Sequence, residues 1–196
     1  MIRNKIKFLL EEDRKVDFFL DEIFNLCEFV FMSEELLNKA KENKESARSY
    51  FYAITNMFTA LANISKIIYP KRDDAYTKRG QLLREKLGIQ SDTQFHYNRN
   101  RDGVRKYRNI LEHYDEYFED WYDNEQNNYI IDYNVGSFNI SSGITLLRNF
   151  NPSTNEFIFL DDTYNINVAL EETRVIYEKI KDIKDKKINK YDAVAE

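Results

Sequence analysis

Apolar residues recur at three- and four-residue intervals through the first 120 positions, and the pattern then gives way to short β-rich runs. Val16, Phe19, Leu20, Ile23, Leu26, Cys27, Val30, Leu36, Leu37 and Ala40 predict one long amphipathic helix from residue 16 to about 41, which residues 2–10 can extend. A polar patch at 41–45 separates it from a second helix. That helix carries Ala47, Tyr50, Phe51, Ile54, Met57, Phe58, Leu61, Ile64 and Ile68, and Pro70 stops it just after Tyr69. So short a connection predicts an antiparallel hairpin. Residues 71–77 read as a charged loop, 78–87 as a short helix ended by Gly88, and 91–98 as a lead-in to a third long helix. This helix, from about 101 to 122, presents Val104, Tyr107, Leu111, Tyr114, Phe118 and Trp121 as a stripe spaced alternately three and four apart.

Residues 129–135, 143–147 and 157–160 are rich in β-branched and aromatic side chains and are separated by Gly, Ser, Asn and Pro. They predict a small antiparallel sheet or hairpin. Asn165 or Asn167 can cap a last helix whose buried stripe is Ala169, Thr173, Ile176, Ile180 and Ile183. The expected fold is therefore a mainly α, antiparallel helical bundle, a single domain over 1–196, with residues 128–162 as a small antiparallel β insertion before the last helix.

Composition narrows the setting. The 196 residues include 14 Tyr and 14 Phe but only 5 Gly and 2 Pro, which suits a packed fold with few loops. Acidic residues interrupt the first two apolar runs: Glu11, Glu12 and Asp13 follow the first, and Asp17, Asp21, Glu22 and Glu28 lie within the densest. Neither a secretion signal nor a membrane span is expected, and the chain reads as cytoplasmic without a membrane partner. One cysteine, Cys27, in an apolar run reads as a small buried hydrophobe. The formal net charge of -5 opposes sequence-independent nucleic-acid binding over the whole surface. Any RNA contact has to be local. Residues 71–108 supply such a region, with eleven Lys and Arg against five Asp and Glu, and with Tyr76, Phe95, Tyr97 and Tyr107 interleaved.

Candidate chemistry is concentrated in Arg108-Asn109-Ile110-Leu111-Glu112-His113. Histidine changes charge near neutral pH and arginine can hold a phosphate through two parallel hydrogen bonds, so the pair can run phosphodiester chemistry without a metal. On a continuous helix Asn109 and His113 share a flank, whereas Arg108 lies about 140° from His113. The two could converge only on something laid across the polar face, or through a second copy of the helix. No HExxH, paired-Cys, Walker-type or GxGxxG string occurs, and no metal or other cofactor is expected.

The string from Tyr107 to Glu116 resembles the R-x(4 to 6)-H motif of the HEPN superfamily, including a polar residue directly after the arginine. The resemblance covers this helix and the order of the long helices; the β-rich stretch departs from a minimal four-helix domain. It implies a metal-independent endoribonuclease of the kind found in toxin–antitoxin, antiviral and RNA-processing systems. Arg108 would then hold the scissile phosphate, Asn109 would orient phosphate or histidine, and His113 would act as acid or base, leaving a 2′,3′-cyclic phosphate. Arg101, Arg105 and Lys106 would contact RNA. Many superfamily members are instead noncatalytic interaction or RNA-binding modules, with a cognate antitoxin or another protein as partner, and that alternative stays open here.

Charge order adds one expectation. From Glu112 to Glu125 there are seven acidic residues and no Lys or Arg, so a single helix over 101–122 would be basic at its start and acidic at its end. That order opposes the helix macrodipole. An antiparallel homodimer would set the basic half of one copy against the acidic half of the other, which agrees with the two-helix clefts of HEPN-like nucleases.

Overall fold

A computed structural model describes residues 2–70, 74–89, 103–124, 129–137, 144–160 and 162–192. Helices dominate. The first, α1 (Ile2–Glu42), joins the reading of 2–10 and 16–41 into one element. Its end is a left-handed turn: Lys44 takes φ 51°, and the Glu45 N–H reaches back to the Ala40 carbonyl at 2.9 Å. The chain reverses into α2 (Ala47–Ile68), which buries twelve side chains and stops before Pro70, as its sequence requires.

α3 (Asp74–Lys86) ends at Gly88, which adopts φ 61° while the Ile89 N–H bonds to the Arg84 carbonyl at 2.8 Å. Within α3, Gly80 lets the helix press against the end of α2, because a β-carbon there would lie 2.6 Å from Pro70 Cδ and 2.8 Å from the Ile68 carbonyl oxygen. The carbonyls that close α2 are then taken by arginines. Arg84 donates to Ile68 at 2.8 Å, and Arg105 donates to both Ser65 and Tyr69 at 2.5 Å. Cations are favoured at this negative end of the helix dipole.

The single helix expected over 101–122 is two helices, α4 (Val104–Glu112) and α5 (Tyr114–Asn124). His113 sits between them with φ -119° and ψ 32°. Of the expected stripe, Val104 and Tyr107 are buried against α2, joined by Ile110 in place of Leu111; Leu111 is only partly buried, and α5 buries no residue fully. What turns the chain is contact with the β layer: the Tyr114 ring meets the Arg148 guanidinium at 4.7 Å, and the Tyr117 ring meets Phe159 edge-on at 6.1 Å.

The β region is mixed rather than wholly antiparallel. β1 (Tyr129–Ile131) pairs parallel with β3 (Ile144–Leu146). A second sheet runs in the order β2 (Asn134–Val135), β4 (Arg148–Asn151), β5 (Glu156–Phe159), β6 (Asp162–Asn165), with β2–β4 parallel and the other pairs antiparallel. In its register Phe150 faces Phe157, which in turn faces Tyr164, so these rings share one side of the sheet. That side packs on the helices: Phe58 of α2 lies 5.6 Å from Tyr107 and 5.5 Å from both Phe157 and Tyr164. The Tyr107 hydroxyl donates to the Thr163 carbonyl at 2.9 Å. Helices and sheet thus bury one continuous apolar cluster.

α6 (Ile166–Asp192) starts where the Asn165 side chain accepts the Asn167 N–H at 3.0 Å, which assigns the cap to Asn165. It returns antiparallel along α1 through the Phe24–Tyr177 stack at 4.6 Å and the Arg174–Glu34 and Lys184–Asp21 ion pairs. Among the described residues no helix is long and apolar enough to cross a membrane.

Candidate functional site

Local hydrogen bonding explains how the helix break is used. The His113 N–H donates to the Asn109 carbonyl at 2.9 Å, completing α4, and the His113 carbonyl accepts the Tyr117 N–H at 3.2 Å, starting α5. His113 therefore projects from a joint. Its side chain is half exposed, with Nδ1 3.5 Å from Glu116 Oε1. A cavity of about 380 Å³ opens here, lined by Asn109, His113, Glu116, Tyr117 and Asp120.

Arg108 faces a different cavity of about 420 Å³, lined by Ala62, Lys66, Pro70, Tyr76, Arg105, Arg108 and Asn109. Its guanidinium is held by its own helix: one nitrogen pairs with Glu112 Oε1 at 2.5 Å and another donates to Asn109 Oδ1 at 3.1 Å. Among the described residues Arg108 and His113 thus line separate cavities within a chain. Asn109 borders both.

The other cations expected to meet RNA are placed as follows. Arg105 is 8% exposed, and its guanidinium is committed to the Ser65 and Tyr69 carbonyls, so it reaches its cavity from the wall. Lys106 turns towards the sheet and pairs with Asp162 at 2.7 Å. Arg101 lies outside the described residues, as do Phe95 and Tyr97.

A larger cleft of about 910 Å³ was not foreseen from the sequence. It lies between the start of α2, Leu111 of α4 and the β layer, with Arg48, Tyr52, Thr55, Asn56, Tyr133 and Arg148 in its walls. Arg148 is buried, forks onto the Asp132 carboxylate, and lies 4.1 Å from the Tyr133 ring. Burial opposes its charge, but the hydrogen bond and charge of Asp132 outweigh that and hold the guanidinium pKa above its ordinary value. Asp132 also accepts the Tyr133 N–H at 2.8 Å, steadying a residue at φ 51° that a bulky side chain rarely adopts. Two charged residues sixteen positions apart in a β-rich run carry no spacing signal for this contact.

No family model, no curated protein and no solved structure matches the chain.

Proposed function

We propose that this protein is a metal-independent endoribonuclease of the HEPN type, acting through Arg108, Asn109 and His113. The observation that carries the reading is the position of Asn109 on the rim shared by the two cavities. A phosphodiester laid across Asn109 would meet the guanidinium of Arg108 on one side and the imidazole of His113 on the other. His113 would take the proton of the ribose 2′-hydroxyl as the 2′-oxygen attacks phosphorus, or supply a proton to the departing 5′-oxygen. Arg108 would balance the charge gathering on the non-bridging oxygens. The P–O5′ bond breaks, leaving a 2′,3′-cyclic phosphate and a 5′-hydroxyl.

Arg108 must first leave Glu112. That exchange is accessible, because an i,i+4 ion pair at a helix surface is worth only about 0.3–0.5 kcal/mol, and a phosphate offers the fork an equivalent partner. Two copies paired antiparallel along α4 would bring Arg108 of one towards His113 of the other and supply a second histidine. Incubating the protein with single-stranded RNA in EDTA and identifying the product ends tests the reading. Cyclic phosphate termini support it, and intact RNA opposes it.

A noncatalytic interaction module, with a cognate antitoxin or another protein as partner, is favoured by one feature. α5 buries no side chain fully, exposes Tyr114, Tyr117 and Tyr122, and carries Asp115, Glu116, Glu119, Asp120 and Asp123 without a basic residue. Such a face repels RNA and suits a basic protein surface.

A further inference from the structure

α2 carries no Asp or Glu, although the chain has 34 of them. Its solvent side consists of Arg48, Tyr52, Thr55, Asn56, Thr59 and Lys66. Taken with Ala62, positions 48, 52, 55, 59, 62 and 66 are spaced 4-3-4-3-4, which sets them in one stripe about 27 Å long. Arg48, Tyr52 and Thr55 line the 910 Å³ cleft at one end, while Ala62 and Lys66 line the Arg108 cavity at the other. α4 runs beside the stripe in the opposite direction: Arg105 bonds near the end of α2, and Leu111 reaches the cleft at its start.

The electrostatics of the stripe favour an extended anion over its whole length. The start of α2 is the positive end of its dipole, and the arginines bound to the Ser65, Ile68 and Tyr69 carbonyls offset the negative end. Glu112 is the carboxylate α4 brings to the flank, and it is paired with Arg108. The acidic run on α5 would repel a polyanion, whereas Asp17 and Asp21 on α1 are paired with lysines of α3 and α6. Tyr52, at 65% exposure, offers an open ring at the cleft, beside Tyr133, which is 46% exposed and carries the Arg148 guanidinium over one face. Cations spaced along a groove with aromatic platforms at one end fit a single-stranded nucleic acid better than an acidic peptide, which has no bases to stack.

We infer that the α2 stripe is the track for single-stranded RNA, leading the strand from the Tyr52 and Tyr133 platforms to Arg108; the inference rests on the ribonuclease reading and names how that site takes its substrate. The test is anisotropy of a labelled 12-nucleotide single strand on folded full-length protein in EDTA. His113→Ala is the background, so that the strand stays intact. Tyr52→Ala should weaken binding about 5- to 100-fold, with Tyr52→Phe restoring it. Arg48→Ala should weaken binding and lower the slope of log affinity against log salt by about 0.7.

Unchanged affinity in both variants would overturn the track, and if the wild type still cleaves RNA the ribonuclease reading survives it. Loss of binding in the variants combined with an inactive wild type would uphold the track and remove the ribonuclease. Duplex RNA bound as tightly as the single strand would overturn the track. Displacement of the strand by polyglutamate at equal charge would overturn it in favour of an acidic protein partner.

Discussion

The amide of His113 closes on the carbonyl of Asn109 at 2.9 Å, and this bond places the histidine at the joint between two helices rather than on the side of one. A side chain on a helix face is limited to the directions of that face. At a joint, His113 borders a cavity whose other walls come from α5 and from Asn109 of α4, and Asn109 also borders the Arg108 cavity. The proposed chemistry depends on that arrangement.

Glu112 holds the cation that the proposed reaction needs, so on that reading its removal should help. Glu112→Gln keeps the size of the side chain but releases Arg108, and RNA affinity is expected to rise severalfold with a change in stability below about 0.5 kcal/mol. Reduced affinity in this variant, measured by anisotropy, would show that Arg108 does not meet phosphate.

The junction of helices and sheet is the core of the fold. Phe58→Ala removes a ring fully buried among Tyr107, Phe157 and Tyr164, and should cost about 3–5 kcal/mol in denaturant unfolding. Phe18→Ala, at an exposed position, should stay within about 0.5 kcal/mol. Equal losses would contradict the assigned burial.

Much of this architecture is readable from side-chain periodicity. The stripe from Val16 to Ala40, the stop at Pro70, the turn at Gly88 and the cap at Asn165 each arise from chemistry within a few residues. The break at His113 does not, because no Gly or Pro marks it and its cause lies in Arg148 and Phe159, more than thirty positions away. Yet one trace of it is present. The acids after Glu112 oppose the dipole of a single helix, but with the break Asp115 and Glu116 stand in the first turn of α5, where acids are favoured. The charge order that suggested a partner has a local explanation. Of the site, residue types could be named from sequence, but the commitment of Arg105 to the end of α2 and the division of Arg108 and His113 between cavities depend on tertiary packing.

Burial pushes the Cys27 thiol up to about 12, with the charge of Glu28 acting in the same sense. An unfolded thiol ionises near about 8.5, so the contribution of this group to stability is complete below that pH and is lost as pH rises towards 12. At pH 8 the native protein should resist thiol-specific labelling, and denaturant should release one reactive thiol per chain. Rapid labelling of folded protein would place Cys27 outside the core.

Assembly is separately measurable. Sedimentation at micromolar concentration in low salt should show a dimer if a second copy completes the cleft, with the association weakening as salt screens the charged rim. A strictly monomeric protein that cleaves RNA would confine the chemistry to one chain.

The most direct measurement compares wild-type protein with His113→Ala on single-stranded RNA in the presence of EDTA, with circular dichroism confirming that both are folded. Half-exposed His113 contributes little to packing, so the variant should keep its fold. The wild type should produce 2′,3′-cyclic phosphate ends, and the variant should lose about 10²- to 10⁴-fold in rate. Cleavage by folded His113→Ala at the wild-type rate would contradict the assignment.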